Sequence, residues 1–278
     1  MSRVLRSIVA RPSGAFALIV VVTICAMSFL APVIDLQLPN KINVTQRFEL
    51  PSAAHWLGTD HLGRDLFSRL MHGTTVAMSV ALSAIAIALT LGTILGIIAA
   101  ESPARWERPI LIIFDVIASF PSLVLALAFI AVLGPGLWNV AIIIAITLVP
   151  HFGRVARAQV LSVREQPYIE AEHILGASRS RIALMHTLPN IMGPLVILAS
   201  MDIPVVIAIE AGLSFIGLGV RPPLASWGTL IYDGFAYINQ STVPVIVSCV
   251  ALGVATLGFT LLGEALRDAI DPRMRPAT

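Results

Sequence analysis

The residues of this chain that could do chemistry are few, and their spacing matches no common catalytic motif. Asp202 and Glu210 are carboxylates inside one long apolar run, with Ser214 one helical turn beyond. Asp60, Gly63, Arg64 and Asp65 crowd into one polar stretch, with Arg69 close behind. Glu170, Ala171, Gly176, Ala177 and Ser178 occupy a polar interval between two apolar regions. The six histidines are scattered, and neither His-Glu-x2-His nor Gly-x-Ser-x-Gly occurs, so neither a zinc hydrolase nor a serine hydrolase is expected. A phosphate-binding P-loop needs Gly-x4-Gly-Lys-Ser/Thr; the single lysine, Lys41, stands in Asn-Lys-Ile, so this chain is not expected to bind ATP through one. His55 and His61 share a loop without a cluster of further His or Cys ligands, and no metal site is expected. Cys25 and Cys249 both fall in apolar runs and read as packing residues rather than a disulfide.

The elements that must position these groups are membrane spans. Of the 278 residues 57% are hydrophobic and only 12% charged, and the mean hydropathy is +0.89. Ordinary soluble domains carry roughly 25% charge, and a chain this apolar could not cover a water-facing surface. Six apolar regions, about 14–34, 75–100, 109–133, 137–153, 191–216 and 242–263, each approach the ~20 residues a helix needs to cross hydrocarbon. The first follows Arg3, Arg6 and Arg11 and exceeds the core of a signal peptide, so it reads as an uncleaved span. The expected fold is an all-α polytopic membrane protein of six transmembrane helices. Residues 1–74 hold a tail, the first span and an outer segment, and 75–278 hold the remaining five helices. A net charge of +2 gives no reason to expect nucleic acid.

Basic residues orient the chain. With the N-terminus in the cytoplasm, thirteen Arg fall in inner segments, against five basic residues outside: Lys41, Arg47, Arg64, Arg69 and Arg221. Both termini and the stretch 166–190 are therefore expected inside. That stretch reads as a helical hairpin. Pro167 suits a first helical turn, Glu170 and Glu172 favour the helix N-terminus, Gly176 turns the chain, Ser178 caps a second helix and Pro189 ends it. Ile182 and Met185 would give the second helix an apolar stripe. In the outer segment Asp60 is expected to cap a helix reaching Met71, with Leu62, Leu66 and Leu70 on one side and an Asp65–Arg69 pair on another. Gly92 and Gly96 permit close helix packing in the second span. Pro121 should kink the third, and Pro150 with Gly153 should bend the fourth. Asp202 and Glu210 must face protein or water.

Glu170-Ala171-x4-Gly176-x12-Pro189 resembles the EAA loop of membrane subunits of bacterial ABC importers, which runs Glu-Ala-Ala, three residues, Gly, nine residues, Ile-x-Leu-Pro. Glu170, Ala171, Gly176, Leu188 and Pro189 match in register; Glu172 replaces the second Ala and His186 replaces the Ile. Gly58-Thr59-Asp60-x2-Gly63-Arg64-Asp65-x2-Ser68-Arg69 resembles a signature of the dipeptide, oligopeptide and nickel branch, in the second of its two membrane subunits. Glu210–Gly219, Pro222-Pro223 and Ser226-Trp227-Gly228 resemble the same branch, as do Leu266-Arg267-Asp268 and Asp271-Pro272-Arg273.

The resemblance implies a type I ABC importer transmembrane fold, with Gln166–Asn190 as the coupling hairpin docking on an ATPase. It implies a non-catalytic inner-membrane permease that forms half of a pathway with a homologous second permease subunit. Two cytoplasmic ATPase subunits would hold ATP and Mg2+, an extracytoplasmic binding protein would deliver substrate, and this chain would carry no cofactor. Glu170, Ala171, Gly176, Ala177 and Ser178 would couple to the ATPase. Asp202, Glu210 and Ser214 would line or gate the pathway, and Asp60, Gly63, Arg64 and Asp65 would form the outer signature. Peptides are the expected cargo, with nickel or a nickel chelate as the alternative. A secondary carrier using Asp202 or Glu210 as a proton site is a further alternative, and a membrane-embedded enzyme a remote one.

Overall fold

The computed structural model describes residues 2–34 and 37–270; the expected C-terminal Asp271-Pro272-Arg273 lies outside them. The described chain is helical, without a strand; Thr59 and Asp65 form one isolated antiparallel bridge. A short α1 (Ser2–Val9) precedes α2 (Pro12–Leu30). Then come α3 (Leu66–Glu101), α4 (Ala104–Ala118), α5 (Ser122–Leu133), α6 (Leu137–Arg164), α7 (Pro167–Ile174), α8 (Arg179–Ile182), α9 (Leu188–Phe215), α10 (Trp227–Ala236) and α11 (Val243–Ile270). Among the described residues five helices are long and apolar enough to cross a membrane: α2, α3, α6, the run Ser180–Phe215 and α11. The sixth expected span is the pair α4 and α5, bent by 93° at the break before Ser122. Pro121 thus does more than kink the helix. Together with the residue before it, which a proline pushes out of the helical region, it ends one helix and caps the next.

The centre of the bundle is α3 against α6. Both run in the same direction, and glycine sets their separation. A Cβ on Gly92 would stand 2.6 Å from the Phe152 Cβ, and one on Gly96 would stand 2.8 Å from the Ala156 Cβ. Gly153 makes room in turn for the Phe114 ring of α4, so its role is packing. Helix α6 continues through Pro150 without a break. The expected close packing at Gly92 and Gly96 is present, and the shared apolar layer includes Ile143, Ile144, Phe152, Ile191, Leu195 and Ile207. Helix α2 lies on α11, with Gly258 of α11 against Val20, and Arg11 pairs with Asp268 where the two helices meet.

Two ends result. One carries residues 37–65 and α10; the other carries α7, α8 and the Arg11–Asp268 pair. Helix α3 starts at Leu66, not at Asp60, and runs past residue 74 into the second span as one 36-residue rod. Asp65 is its N-cap, with its side chain accepting from the Ser68 N–H at 2.7 Å. Gly63, at φ 72°, cannot lie within a right-handed helix, which is why the helix cannot begin earlier.

Candidate functional site

At the first end the expected signature residues form a charge cluster. The Asp60 carboxylate accepts from the Leu62 N–H at 2.8 Å and the Arg64 N–H at 3.0 Å, so it closes a tight turn instead of capping a helix. Its other oxygen accepts from the Arg64 Nε at 2.6 Å, and the Arg69 guanidinium lies 3.5 Å from the same oxygen. The expected Asp65–Arg69 side-chain pair is absent. Asp65 is turned to its cap and to the His55 Nδ1 at 2.9 Å, and Arg69 is turned to Asp60 and Asp233. Asp233, on α10, receives Arg64 at 3.3 Å and Arg69 at 3.5 Å. Leu62 sits in the turn and contributes to no helix face.

His61 stacks on Tyr237, centroids 4.7 Å apart, and stands beside this cluster. Burial holds its imidazole below the ordinary value, and Arg64 and Arg69 push the same way against the pull of Asp233 and Asp60. Asp60, His61 and Asp233 bring ligand-type atoms within 4.8 Å of one another, an arrangement hidden in the sequence because Asp233 lies so far along the chain. Two guanidinium groups already face those carboxylates, so the charge an added cation would meet is balanced. Gly58 and Gly63 both hold positive φ, and a Cβ on either would collide with a backbone carbonyl, of Glu49 and Asn43 respectively.

The same end is fastened to the bundle through the segment after α9. Glu210 has 0% exposure, and its carboxylate accepts from the Ser214 hydroxyl at 2.6 Å. The Ser214 oxygen accepts in turn from the Val220 N–H at 3.4 Å. Glu210 and Ser214 therefore lie inside the subunit, behind the loop 217–226. Asp202 is different: it is mostly buried, with its carboxylate 3.6 Å from the His151 Nε2 of α6. Ser226 caps α10 in a reciprocal capping box with Thr229. The Trp227 Nε1 donates to the Leu70 carbonyl of α3 at 3.4 Å, and the indole packs where Gly73 leaves space.

At the opposite end the hairpin is formed as expected in outline. Gly176 has φ 81°, and nothing lies within 4 Å of the place a Cβ would take. The Ala177 N–H bonds the Glu172 carbonyl at 3.0 Å, the long bond of a glycine-terminated helix. Ser178 caps α8, its hydroxyl accepting from the Arg181 N–H at 3.3 Å. Of the residues expected to couple, Glu170, Ala171, Gly176 and Ser178 are exposed and Ala177 is half-buried. Pro189 does not end the second helix. A π-helical turn at Ala183–Thr187 shifts the hydrogen-bond register, and Pro189 falls in the first turn of α9, where its missing N–H leaves no gap. That shift also separates Ile182, which is buried, from Met185, which is exposed, so the expected apolar stripe does not form. Instead the hairpin presents Ile174 and Leu175, 80% and 81% exposed, together with Leu184 and Met185. Its inner side is tied by Tyr168 to Asn190 at 3.2 Å and by Glu172 to His186 at 3.4 Å.

Sequence reasoning does not single out His151, Arg154 or Asp233 as site residues. The first two are ionisable groups inside or at the edge of an apolar run, the signal that could have marked them.

Comparison with known proteins places these features. The family described as binding-protein-dependent transport system inner membrane component matches residues 92–276. The dipeptide transport system permease protein DppC of Alkalihalophilus pseudofirmus is 38% identical over 259 residues, 93% of this chain and 85% of that one. The glutathione transport system permease protein GsiD of Pectobacterium atrosepticum is 34% identical over 98% of this chain and 90% of its own. The nickel transport system permease protein NikC of Escherichia coli is 36% identical over 85% of each chain. An inward-facing structure of the MetNI methionine ABC transporter superposes with a TM-score of 0.60 at 17% identity, covering 74% of this chain and 96% of that one.

Proposed function

The chain belongs to the inner membrane components of binding-protein-dependent transport systems, and we propose that the cargo of its transporter is a short peptide. It is a multi-pass, non-catalytic permease subunit of an ABC importer. The observation that carries the peptide reading is the 38% identity to a dipeptide permease across 93% of the chain. The signature end adds a physical argument against the nickel alternative. Its grouping of His and carboxylate oxygens is occupied by Arg64 and Arg69, which repel a divalent cation.

In this reading the chain pairs with a homologous permease, and a binding protein delivers peptide at the end bearing Asp60, Arg64 and Asp233. Two ATPase subunits, holding ATP and Mg2+, receive the hairpin. The excess of Arg beside 166–190 supports placing that end in the cytoplasm. Four exposed apolar side chains at the tip of a polar hairpin are costly in water and suit a groove on a partner. Helix α6 runs directly into the hairpin and α9 directly out of it, so displacement of the tip is transmitted to two spans. The test is reconstitution of the chain with its partner subunits in proteoliposomes, comparing uptake of labelled dialanine with uptake of Ni2+. ATP-dependent dialanine uptake is expected. Ni2+ uptake without dialanine uptake would replace the peptide reading, and uptake without ATPase subunits would indicate a secondary carrier.

A further inference from the structure

A cavity of about 220 Å3 opens on α6, lined by Ala118, Thr147, Pro150, His151, Arg154 and Val155. Its polar groups are not surface decoration. His151 lies about 21 Å and Arg154 about 26 Å along α6 from its start at Leu137, by the 1.5 Å rise of a helix. Both therefore stand within or at the inner edge of a hydrocarbon layer about 30 Å thick. Arg154 is 48% exposed and bonds Asp115 at 2.7 Å, and that carboxylate, in the apolar second half of α4, is itself 71% exposed. Charges facing lipid at that depth are costly, which favours water or the partner permease on this face of α4 and α6.

His151 and Arg154 are three residues apart on one helix face, and both can donate to an anion. Asp202 stands behind the imidazole, its oxygen 3.6 Å from the His151 Nε2, and that oxygen has no hydrogen-bond donor among the described residues. Asp115 already shows what the pair accepts: a carboxylate on the Arg154 guanidinium, held by a single exposed contact that another carboxylate can replace.

We propose that Arg154 and His151 form a transit site for the carboxylate end of the cargo on the pathway wall, with Asp115 as the exchangeable resident carboxylate and Asp202 as the residue that positions His151. A carboxylate arriving from the pathway displaces Asp115, and Asp115 recaptures Arg154 as the cargo leaves. The site rests on the peptide reading above, since a peptide carries that carboxylate and a bare nickel ion does not.

The test uses the complete transporter in proteoliposomes, with dialanine as probe. Arg154→Gln is expected to leave assembly and binding-protein-stimulated ATP hydrolysis near wild type while uptake per ATP falls about ten-fold, the loss of one good ionic contact. Asp115→Asn leaves Arg154 unoccupied, and uptake is expected to be retained or raised. Loss in Arg154→Gln without loss in Asp115→Asn separates a cargo site from a structural ion pair, in which both variants would fail together. Equal uptake per ATP in wild type and Arg154→Gln overturns the site and leaves the peptide reading standing. So does loss of the partner permease from Arg154→Gln preparations, which would make this face a subunit contact. Absence of dialanine uptake in the wild type overturns the peptide reading and the transit site with it.

Discussion

His186 and Glu172 face each other across the hairpin, Nε2 to Oε1, at 3.4 Å. These are the two positions where the chain departs from the EAA pattern, which has Ile and Ala there. The departures are thus coupled: a polar contact between α7 and the π-turn stands where the pattern would put an apolar one. The pair is partly exposed and contributes about 0.2–1 kcal/mol. His186→Ile alone leaves Glu172 facing an apolar neighbour, and Glu172→Ala alone leaves His186 without its partner. Each single variant is expected to weaken retention of the ATPase subunits, and the double variant to recover most of it. A double-mutant cycle on copurification yield measures this; strictly additive losses would show that the two side chains do not act together.

Gly176 is the hinge of the same hairpin. Nothing crowds it, so a side chain there meets no clash, and the penalty comes from its φ of 81° alone. Holding a non-glycine residue in that region costs roughly 1–2 kcal/mol. Gly176→Val is expected to cost more than Gly176→Asn, because Asn tolerates the left-handed region and Val does not. Insertion and pairing with the second permease should persist, while ATPase copurification and stimulated hydrolysis fall about ten-fold for Val. Equal behaviour of Val and Asn would remove backbone conformation as the cause.

Asp65 holds the start of the longest helix. Its carboxylate caps α3 through the Ser68 N–H and meets the buried His55 at 2.9 Å. Asp65→Ala removes a cap worth about 1 kcal/mol and strands a buried imidazole nitrogen for a further ~1–3 kcal/mol. Asp65→Asn keeps a capping oxygen and should fall between. Thermal unfolding of the detergent-solubilised chain checks the order; an Ala variant as stable as wild type would show that the signature loop is not anchored there.

The helix start at Asp65 also shows where sequence reading stops. Asp60 and Asp65 are both acceptors before a run containing leucines, and local propensity does not separate a turn-closing Asp from a capping one. Gly63 at positive φ decides between them, and glycine alone does not announce its φ. The spans themselves were legible because hydrocarbon thickness demands long apolar runs, and Gly92 and Gly96 were legible because small residues one turn apart mark close packing. Asp233 was not, since its partners Arg64 and Arg69 are brought to it only by the docking of α10. Pro189 misleads for a different reason: a π-turn changes the register before the proline arrives.

The His61–Tyr237 stack is expected to make the signature end sensitive to acid. The His61 imidazole is held below its ordinary value of 6.5, chiefly by burial, with Arg64 and Arg69 adding to it. A base whose folded value is depressed binds its proton more readily when the loop is open. The neutral ring therefore supports the closed loop fully above pH 6.5, and that support is lost as pH falls through 6.5 towards the depressed folded value. Protonation would also put a third cation beside Arg64 and Arg69. Amide hydrogen exchange in residues 58–66 is expected to rise as pH drops from 7 to about 5, after correction for the intrinsic exchange rate. His61→Phe keeps an aromatic partner for Tyr237 and removes the titration, so its exchange should stay flat over the same range. A wild-type loop that is equally protected at both pH values, or a His61→Phe loop that opens with the same profile, would remove His61 as the acid-sensitive group.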